Sequence, residues 1–201
     1  MTMAPGSTLG ILGGGQLGRM LAMAAHRLGL RAHVLAQAAD EPAAQVTSEV
    51  TLGAFDDVGA LRAFAAAVDV VTLEFENVPV TAVQTIGARV PVRPGARALQ
   101  VAQDRLLEKR FAQELGLATA PFAAYAGPED GAAAAGLGFP ARLKTRRLGY
   151  DGKGQARIEV PAELEAAWAA LGRVPCIVET EVAFDRELSV LVARRPSGEV
   201  R

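Results

Sequence analysis

The chain predicts an α/β fold, a parallel sheet flanked by helices, followed by a smaller α+β region. Three observations predict it. From residue 8 to residue 73, short apolar runs alternate with helix-period segments, the rhythm of βαβ units whose strands are buried on both faces. Pro91 and Pro94 then break that rhythm. After Gly116 the apolar runs are short and no longer alternate regularly with helices.

In order, Thr8 to Leu12 reads as a buried strand, Gln16 to Leu28 as a helix ended by Gly29, and Arg31 to Leu35 as the second strand. Val50 to Leu52, a helix over 58–67 capped by Asp56 or Asp57, and Val70 to Leu73 extend the parallel sheet. The prolines mark a domain boundary, placed between residues 98 and 99. A helix over Asp104 to Leu115 follows, with Leu107, Phe111 and Leu115 on one face. Phe122 to Tyr125, Ala141 to Lys144, Gln155 to Ile158, Cys176 to Glu179 and Glu187 to Ala193 read as strands of the second domain. Helices are expected over Ala162 to Leu171 and over the Ala- and Gly-rich Glu129 to Gly136. The last strand runs into a turn at Pro196-Ser-Gly198 and the chain stops at Arg201, so the second domain reads as unfinished.

Composition narrows the function classes. Half of the 201 residues are hydrophobic and the net charge is −1, which provides a core and argues against a nucleic-acid partner. The single cysteine, Cys176, excludes an internal disulfide, fits a reducing compartment and lies in an apolar setting as a buried strand thiol. No apolar run approaches the ~18 residues of a membrane span, and the N-terminus lacks an export-signal pattern, so a cytoplasmic protein without a membrane partner is expected. His26 and His33 lie apart from other ligand types, and no histidine metal site is expected.

Four segments carry chemistry. Lys144 to Gln155 combines four cations, three glycines and one carboxylate. Glycine lets backbone N–H groups approach phosphate oxygens while Lys and Arg supply charge-assisted hydrogen bonds; a solvated basic turn is the alternative. Gly13-Gly-Gly-Gln-Leu-Gly18 satisfies G-x-G-x-x-G between a strand and a helix, a context for phosphate or ribose, or simply for a tight turn. An NAD site would want an acidic residue after the second strand, where Leu35-Ala-Gln37 stands instead. Glu74 and Glu76 fall at the C-terminal end of the fourth strand, where ligands of open α/β sheets collect, and alternation puts them on one side. They are placed to take hydroxyl or amine protons, or to be solvated loop groups. Glu179-Thr-Glu-Val182, followed by Glu187, offers acceptors and an apolar surface for adenine and a carboxylate for ribose, although an ordinary edge strand would look similar.

Taken together and in this order, several motifs resemble the ATP-grasp enzymes over essentially the whole chain. They are Ile11-Leu-Gly-Gly-Gly-Gln-Leu-Gly-Arg-Met-Leu21, Glu74-Phe-Glu-Asn-Val78, Gln103-Asp-Arg-Leu-Leu-Glu-Lys109, Thr119-Ala-Pro-Phe122, Lys144-Thr-Arg-Arg147, Gly149-Tyr-Asp-Gly-Lys-Gly-Gln155 and Arg186-Glu-Leu-Ser-Val190. The resemblance is nearest to the branch that forms 5-(carboxyamino)imidazole ribonucleotide in purine biosynthesis. It implies a Rossmann-like pre-ATP-grasp domain over 1–98 and an incomplete ATP-grasp domain over 99–201, with a glycine-rich lid subdomain over about 119–184. It implies ATP and Mg2+ as cofactors, and aminoimidazole ribonucleotide and bicarbonate as substrates, joined through carboxyphosphate.

By the same resemblance, Arg105 and Lys144 contact ATP phosphates, and Gly149, Gly152, Gly154 and Gln155 belong to a mobile lid. Glu179, Thr180, Glu181 and Val182 hold adenine, and Glu187 binds ribose. Tyr150, Asp151 and Lys153 reach the substrate or the transferring group, with Gln16 and Glu76 contributing from the first domain. Full-length members are longer, form homodimers, and carry their magnesium ligands in a portion to which nothing here corresponds. The chain is therefore expected to be a fragment with little activity alone. Another ATP-grasp ligase with a different acceptor, and a nucleotide-binding module without catalysis, are the alternatives.

Overall fold

The computed structural model describes residues 3–149, 152–195 and 197–200. The chain divides into two compact units, one over Met3–Leu115 and one built from residue 116 onward. The compact units meet at 115/116, whereas the domain seam expected from the sequence lies at 98/99.

In the first unit, β1 (Thr8–Leu12), α1 (Gln16–Arg27), β2 (Arg31–Ala36), β3 (Glu49–Leu52), α2 (Val58–Ala66) and β4 (Val70–Leu73) follow the expected order. The sheet runs β3-β2-β1-β4, and its pairings are all parallel, with Ile11 opposite Val34 and Thr72. Adjacent residues of one strand enter different cores. Leu12 and Leu35 join Leu61, Phe64, Val71 and Ile86 on one side, whereas Ile11 and Val34 join Ala22, Ala25 and Ala43 on the other. That split is why these strands read as continuous apolar runs. Gly18, Ala22 and Ala25 are the buried residues of α1. Of the two candidate caps for α2, Asp57 serves, its Oδ1 accepting from the N–H groups of Gly59 (2.8 Å) and Ala60 (3.1 Å). Gly29, at φ +74°, turns the chain after α1 in the left-handed region that glycine tolerates.

Two helices went unforeseen: α3 (Val80–Gly87) and α4 (Ala96–Ala102). The sequence of α3, Val-Thr-Ala-Val-Gln-Thr-Ile-Gly, is rich in β-branched residues, and burial of Ala82, Val83 and Ile86 against the sheet overrides that local preference. Val71 donates to the Pro91 carbonyl (2.9 Å) and accepts from Arg93 N–H (2.8 Å), so residues 91–93 add a short parallel bridge beside β4. Helix α5 (Arg105–Glu114), capped by Asp104, closes this unit; Leu106 is its buried residue, whereas Leu115, expected on its apolar face, is exposed.

The second unit contains β5 (Phe122–Tyr125), α6 (Gly131–Ala135), β6 (Ala141–Thr145), β7 (Gln155–Ile158), α7 (Leu164–Ala170) and β8 (Cys176–Thr180). Its sheet is antiparallel in the order β5-β8-β6-β7. Leu143, Val178, Cys176, Ile158 and Tyr125 share a core with Ala134 of α6 and Leu164 of α7. Trp168 packs edge-on to Tyr125 and donates to the Val174 carbonyl (2.7 Å). The strand expected over 187–193 is absent: that segment is irregular, and Leu188, Val190, Leu191 and Val192 are exposed. A strand requires a ladder partner for its backbone groups, and among the described residues none runs beside it. Arg194 bridges Val200 and the Gly198 N–H donates to the Arg195 carbonyl (2.9 Å), while Pro196 of the expected turn lies outside the described residues.

Cys176 is fully buried in β8, and desolvation pushes its thiol up to about 11. The folded pKa lies above the ordinary value of 9.0, so this thiol contributes stability below that pH, and the contribution is lost as pH rises through about 11. Labelling with a disulfide reagent at pH 8 is expected to be slow in buffer and rapid in denaturant; rapid labelling of the native chain would contradict this burial.

Candidate functional site

The glycine-rich turn after β1 is filled by the chain's own carboxylates. Glu74, just beyond β4, accepts the Gly15 N–H at 2.7 Å through Oε2. A Cβ added at Gly13 or Gly15 would fall 2.6 Å or 2.2 Å from a Glu74 carboxylate oxygen, and one at Gly14 would fall 2.1 Å from Glu41 Oε2. Glu41 is itself fixed by the N–H groups of Gln37 (2.9 Å) and Ala38 (3.1 Å). These glycines therefore admit carboxylates. An anionic partner already sits at the N-terminal, positive end of α1, so of the readings open for this turn, a phosphate cradle is disfavoured. Glu41 went unnoticed in the sequence because its role depends on a chain reversal that brings residue 41 back over residue 14.

Gln16 opens α1 and is exposed at the C-terminal edge of the parallel sheet. Glu76 reaches the same edge and is also exposed. Its carbonyl accepts from Gln103 Nε2 (2.5 Å), which also donates to the Val78 carbonyl (2.6 Å) and so clamps the loop. A cavity of about 290 Å³ opens here, bordered by Glu74, Glu76, Phe75, Pro94 and Leu99. Thus Glu74 and Glu76 do different things: the first braces the glycine turn, the second is open to a ligand. Arg105 is the first residue of α5 in this unit and is half-buried. His33 is structural, bonded to Thr51 Oγ1 (2.8 Å) with its ring edge-on to Phe64; burial lowers its pKa, with Glu49 opposing.

In the second unit, strand alternation and register put Phe122, Ala124, Arg142, Lys144, Gln155, Arg157, Ile177 and Glu179 on the sheet face opposite the helix-covered core. Lys144 Nζ stands 2.6 Å from Glu179 Oε2, and Glu179 is 6% exposed. Arg157 Nε donates to Glu181 Oε2 at 2.6 Å, and Arg142 lies 3.6 Å from the same carboxylate. The Arg157 hydrogen bond holds the Glu181 carboxyl below the usual carboxylate range, assisted by the charge of both arginines. Arg157 also pairs with Glu159. Thr180 is a fastener, its hydroxyl donating to the Leu137 carbonyl (2.9 Å) and its N–H to Pro121 (3.0 Å).

The glycine-rich segment closes the β6–β7 hairpin. Gly152 and Gly154 have φ of +78° and +71°, and Thr145 N–H donates to the Gly154 carbonyl at 2.8 Å. A Cβ on Gly154 would stand 2.6 Å from Thr145 Oγ1, whereas one on Gly152 would meet Gln155 Nε2 at an ordinary 3.6 Å. Gly149 is half-buried, while Lys153 and Gln155 are exposed. Tyr150 and Asp151 lie outside the described residues. Val182 and Glu187 are exposed, and Glu187 lies on the irregular segment. Among the described residues, no group of His, Cys, Asp or Glu is clustered as a metal site, and no helix is long and apolar enough to cross a membrane.

Family comparison agrees with this two-part geometry. Residues 6–103 match the family model of the ribonucleotide synthetase preATP-grasp domain, and residues 110–201 match that of the ATP-grasp domain. The chain belongs to the ATP-grasp family. It is 50% identical over 202 residues to N5-carboxyaminoimidazole ribonucleotide synthase of Brucella melitensis, the alignment covering 99% of this chain and 56% of that protein. Among solved structures, the ADP complex of an N5-carboxyaminoimidazole ribonucleotide synthetase superposes with a TM-score of 0.93 at 38% identity, covering 100% of this chain and 54% of the other. The Aspergillus clavatus synthase in complex with ADP and 5-aminoimidazole ribonucleotide gives 0.87 at 30% identity, covering 98% and 52%. The chain spans about half the length of the curated relatives it matches.

Proposed function

We propose that this chain supplies the nucleotide-binding face and part of the acceptor site of an enzyme that carboxylates 5-aminoimidazole ribonucleotide with bicarbonate and ATP. The observation that carries the proposal is the helix-free face of the antiparallel sheet. There Lys144 stands against the nearly buried Glu179, on the strand that leads into a glycine-bearing turn. A cation held against a nearly buried carboxylate, its own side chain still 28% exposed, is suited to the phosphates of a nucleotide.

In the proposed reaction, a bicarbonate oxygen attacks the γ-phosphorus of ATP and ADP leaves. The resulting carboxyphosphate, or carbon dioxide released from it, is attacked at carbon by the exocyclic amine, which loses a proton as phosphate departs. Lys144 and Arg105 hold phosphates, Glu179 to Val182 the adenine and Glu187 the ribose. Gly149 to Gln155 shuts over the site and excludes water, which would otherwise decompose carboxyphosphate. Tyr150, Asp151 and Lys153 act on the substrate or the transferring group, and Gln16 and Glu76 contribute to substrate binding. Magnesium is expected with ATP, held by one or two carboxylates together with the substrate phosphates; none of the described residues is assigned to it. We place the protein in the cytoplasm, acting on small molecules and forming a homodimer at full length.

The test is ADP release by this chain alone and by this chain fused to the remaining half of the Brucella melitensis relative. Release by the fusion that depends on both bicarbonate and aminoimidazole ribonucleotide is expected, with little from the chain alone. Dependence on another acceptor would overturn the substrate assignment, and nucleotide binding without turnover in the fusion would leave a binding module.

A further inference from the structure

The cations and carboxylates on the second sheet's face away from α6 and α7 are paired by one geometric rule. Along β6 and β8, Arg142 stands directly opposite Glu179 and Lys144 directly opposite Ile177. Neither cation takes the residue across from it. Lys144 reaches diagonally to Glu179 at 2.6 Å, and Arg142 points diagonally to Glu181 at 3.6 Å. Arg157, opposite Arg142 on β7, also holds Glu181, at 2.6 Å. Both arginines are thereby committed to Glu181, and Glu179 faces the lysine.

The two partners differ in freedom. Glu179 continues β8, whose residues Cys176, Ile177 and Val178 are each fully buried, and it is itself 6% exposed. Lys144 has a long, flexible stem, and its side chain keeps 28% exposure. The stem lies opposite Ile177, an apolar bed that suits its methylenes. An anchored carboxylate therefore sets where a mobile ammonium rests.

We propose that Glu179 is a positioning residue for Lys144: it holds the ammonium on the sheet face away from α6 and α7, so that the nucleotide phosphates meet a cation whose freedom is already spent. This deepens the nucleotide reading and rests on it. It assigns to Glu179 an effect on the phosphates, separate from the adenine contact implied by the family resemblance. The side chain contributes through Lys144, so its removal should weaken the grip on the phosphate tail more than the grip on the base.

The experiment is calorimetric titration of the full chain with adenosine, AMP, ADP and ATP. The increase in affinity along that series measures the phosphate grip. In Lys144→Met the gain from adenosine to ATP is expected to shrink about 10- to 100-fold, the scale of a lost charge-assisted hydrogen bond. In Glu179→Gln, which keeps side-chain length and an acceptor oxygen, it is expected to shrink about 3- to 10-fold while adenosine binding changes less. The double variant should resemble Lys144→Met alone, because two residues acting through one contact are not additive. Glu179→Asp, which keeps the charge but withdraws it by one methylene, should move the series in the same direction and serves if the Gln variant fails to fold.

Loss spread evenly from adenosine to ATP in Glu179→Gln would overturn the proposal and leave Glu179 a base contact or a structural group. A steeper series would overturn it differently, by showing that the carboxylate competes with phosphate for Lys144. An unchanged series in Lys144→Met, or no nucleotide binding by the unaltered chain, would instead remove the nucleotide reading itself.

Discussion

Phe64→Ala is expected to cost about 3–5 kcal/mol in the stability of the first unit, the range for truncating a large buried aromatic ring. Phe64 is the largest fully buried side chain, and it lies among Leu12, Leu35, Leu61 and Val71 with its ring edge-on to His33. Its place is made by an absence. A Cβ on Gly10, in the middle of β1, would stand 2.9 Å from both Phe64 Cζ and Val71 Cγ2. Ring and glycine thus form one packing unit, and the cavity left by Ala cannot be filled from the strand side, where the backbone is held by two parallel neighbours. Urea unfolding followed by far-UV ellipticity measures the loss. Trp168, the single tryptophan, lies in the second unit, so its fluorescence follows that unit separately. A loss below about 1 kcal/mol would mean the core collapses around the gap.

Lys144→Met is expected to lower ATP affinity by about 10- to 100-fold, because one charge-assisted hydrogen bond to phosphate contributes about 1.5–3 kcal/mol. The substitution also withdraws an ammonium from beside Glu179, a carboxylate with 6% exposure, so some thermal stability is lost with it. Titrating well below the melting transition, with adenosine as the phosphate-free control, separates the two losses. Lys144→Arg keeps the charge but exchanges a point donor for a planar fork, and partial retention of affinity is expected. Equal affinity of the Met variant and the unaltered chain for ATP would take Lys144 out of the phosphate site.

The parallel sheet was legible because its strands are buried on both sides, and the reversals between them carry local signals. Gly29 ends α1 and Asp57 caps α2 through hydrogen bonds two and three residues away. Such contacts lie within one turn of chain and leave their mark in the sequence. Helix α3 left none, since its β-branched residues favour a strand and only the core formed by Ala82, Val83 and Ile86 makes it helical. Residues 187–193 erred in the opposite direction: their alternation is that of a strand, and the ladder partner a strand requires is not supplied by the described residues.

The same division runs through the candidate site. Sequence alone determined the family motifs, the glycine positions and the strands that bear Lys144 and Glu179, because spacing along a strand dictates which face a side chain takes. Only the tertiary structure decided that Glu74 and Glu41 occupy the glycine turn after β1, and that Lys144 chooses the diagonal carboxylate over its direct neighbour across the strands. Glu74 lies 59 residues from Gly15, and Glu179 lies 35 from Lys144. Pairings over such separations depend on sheet order and register, which long-range packing sets and no local pattern encodes.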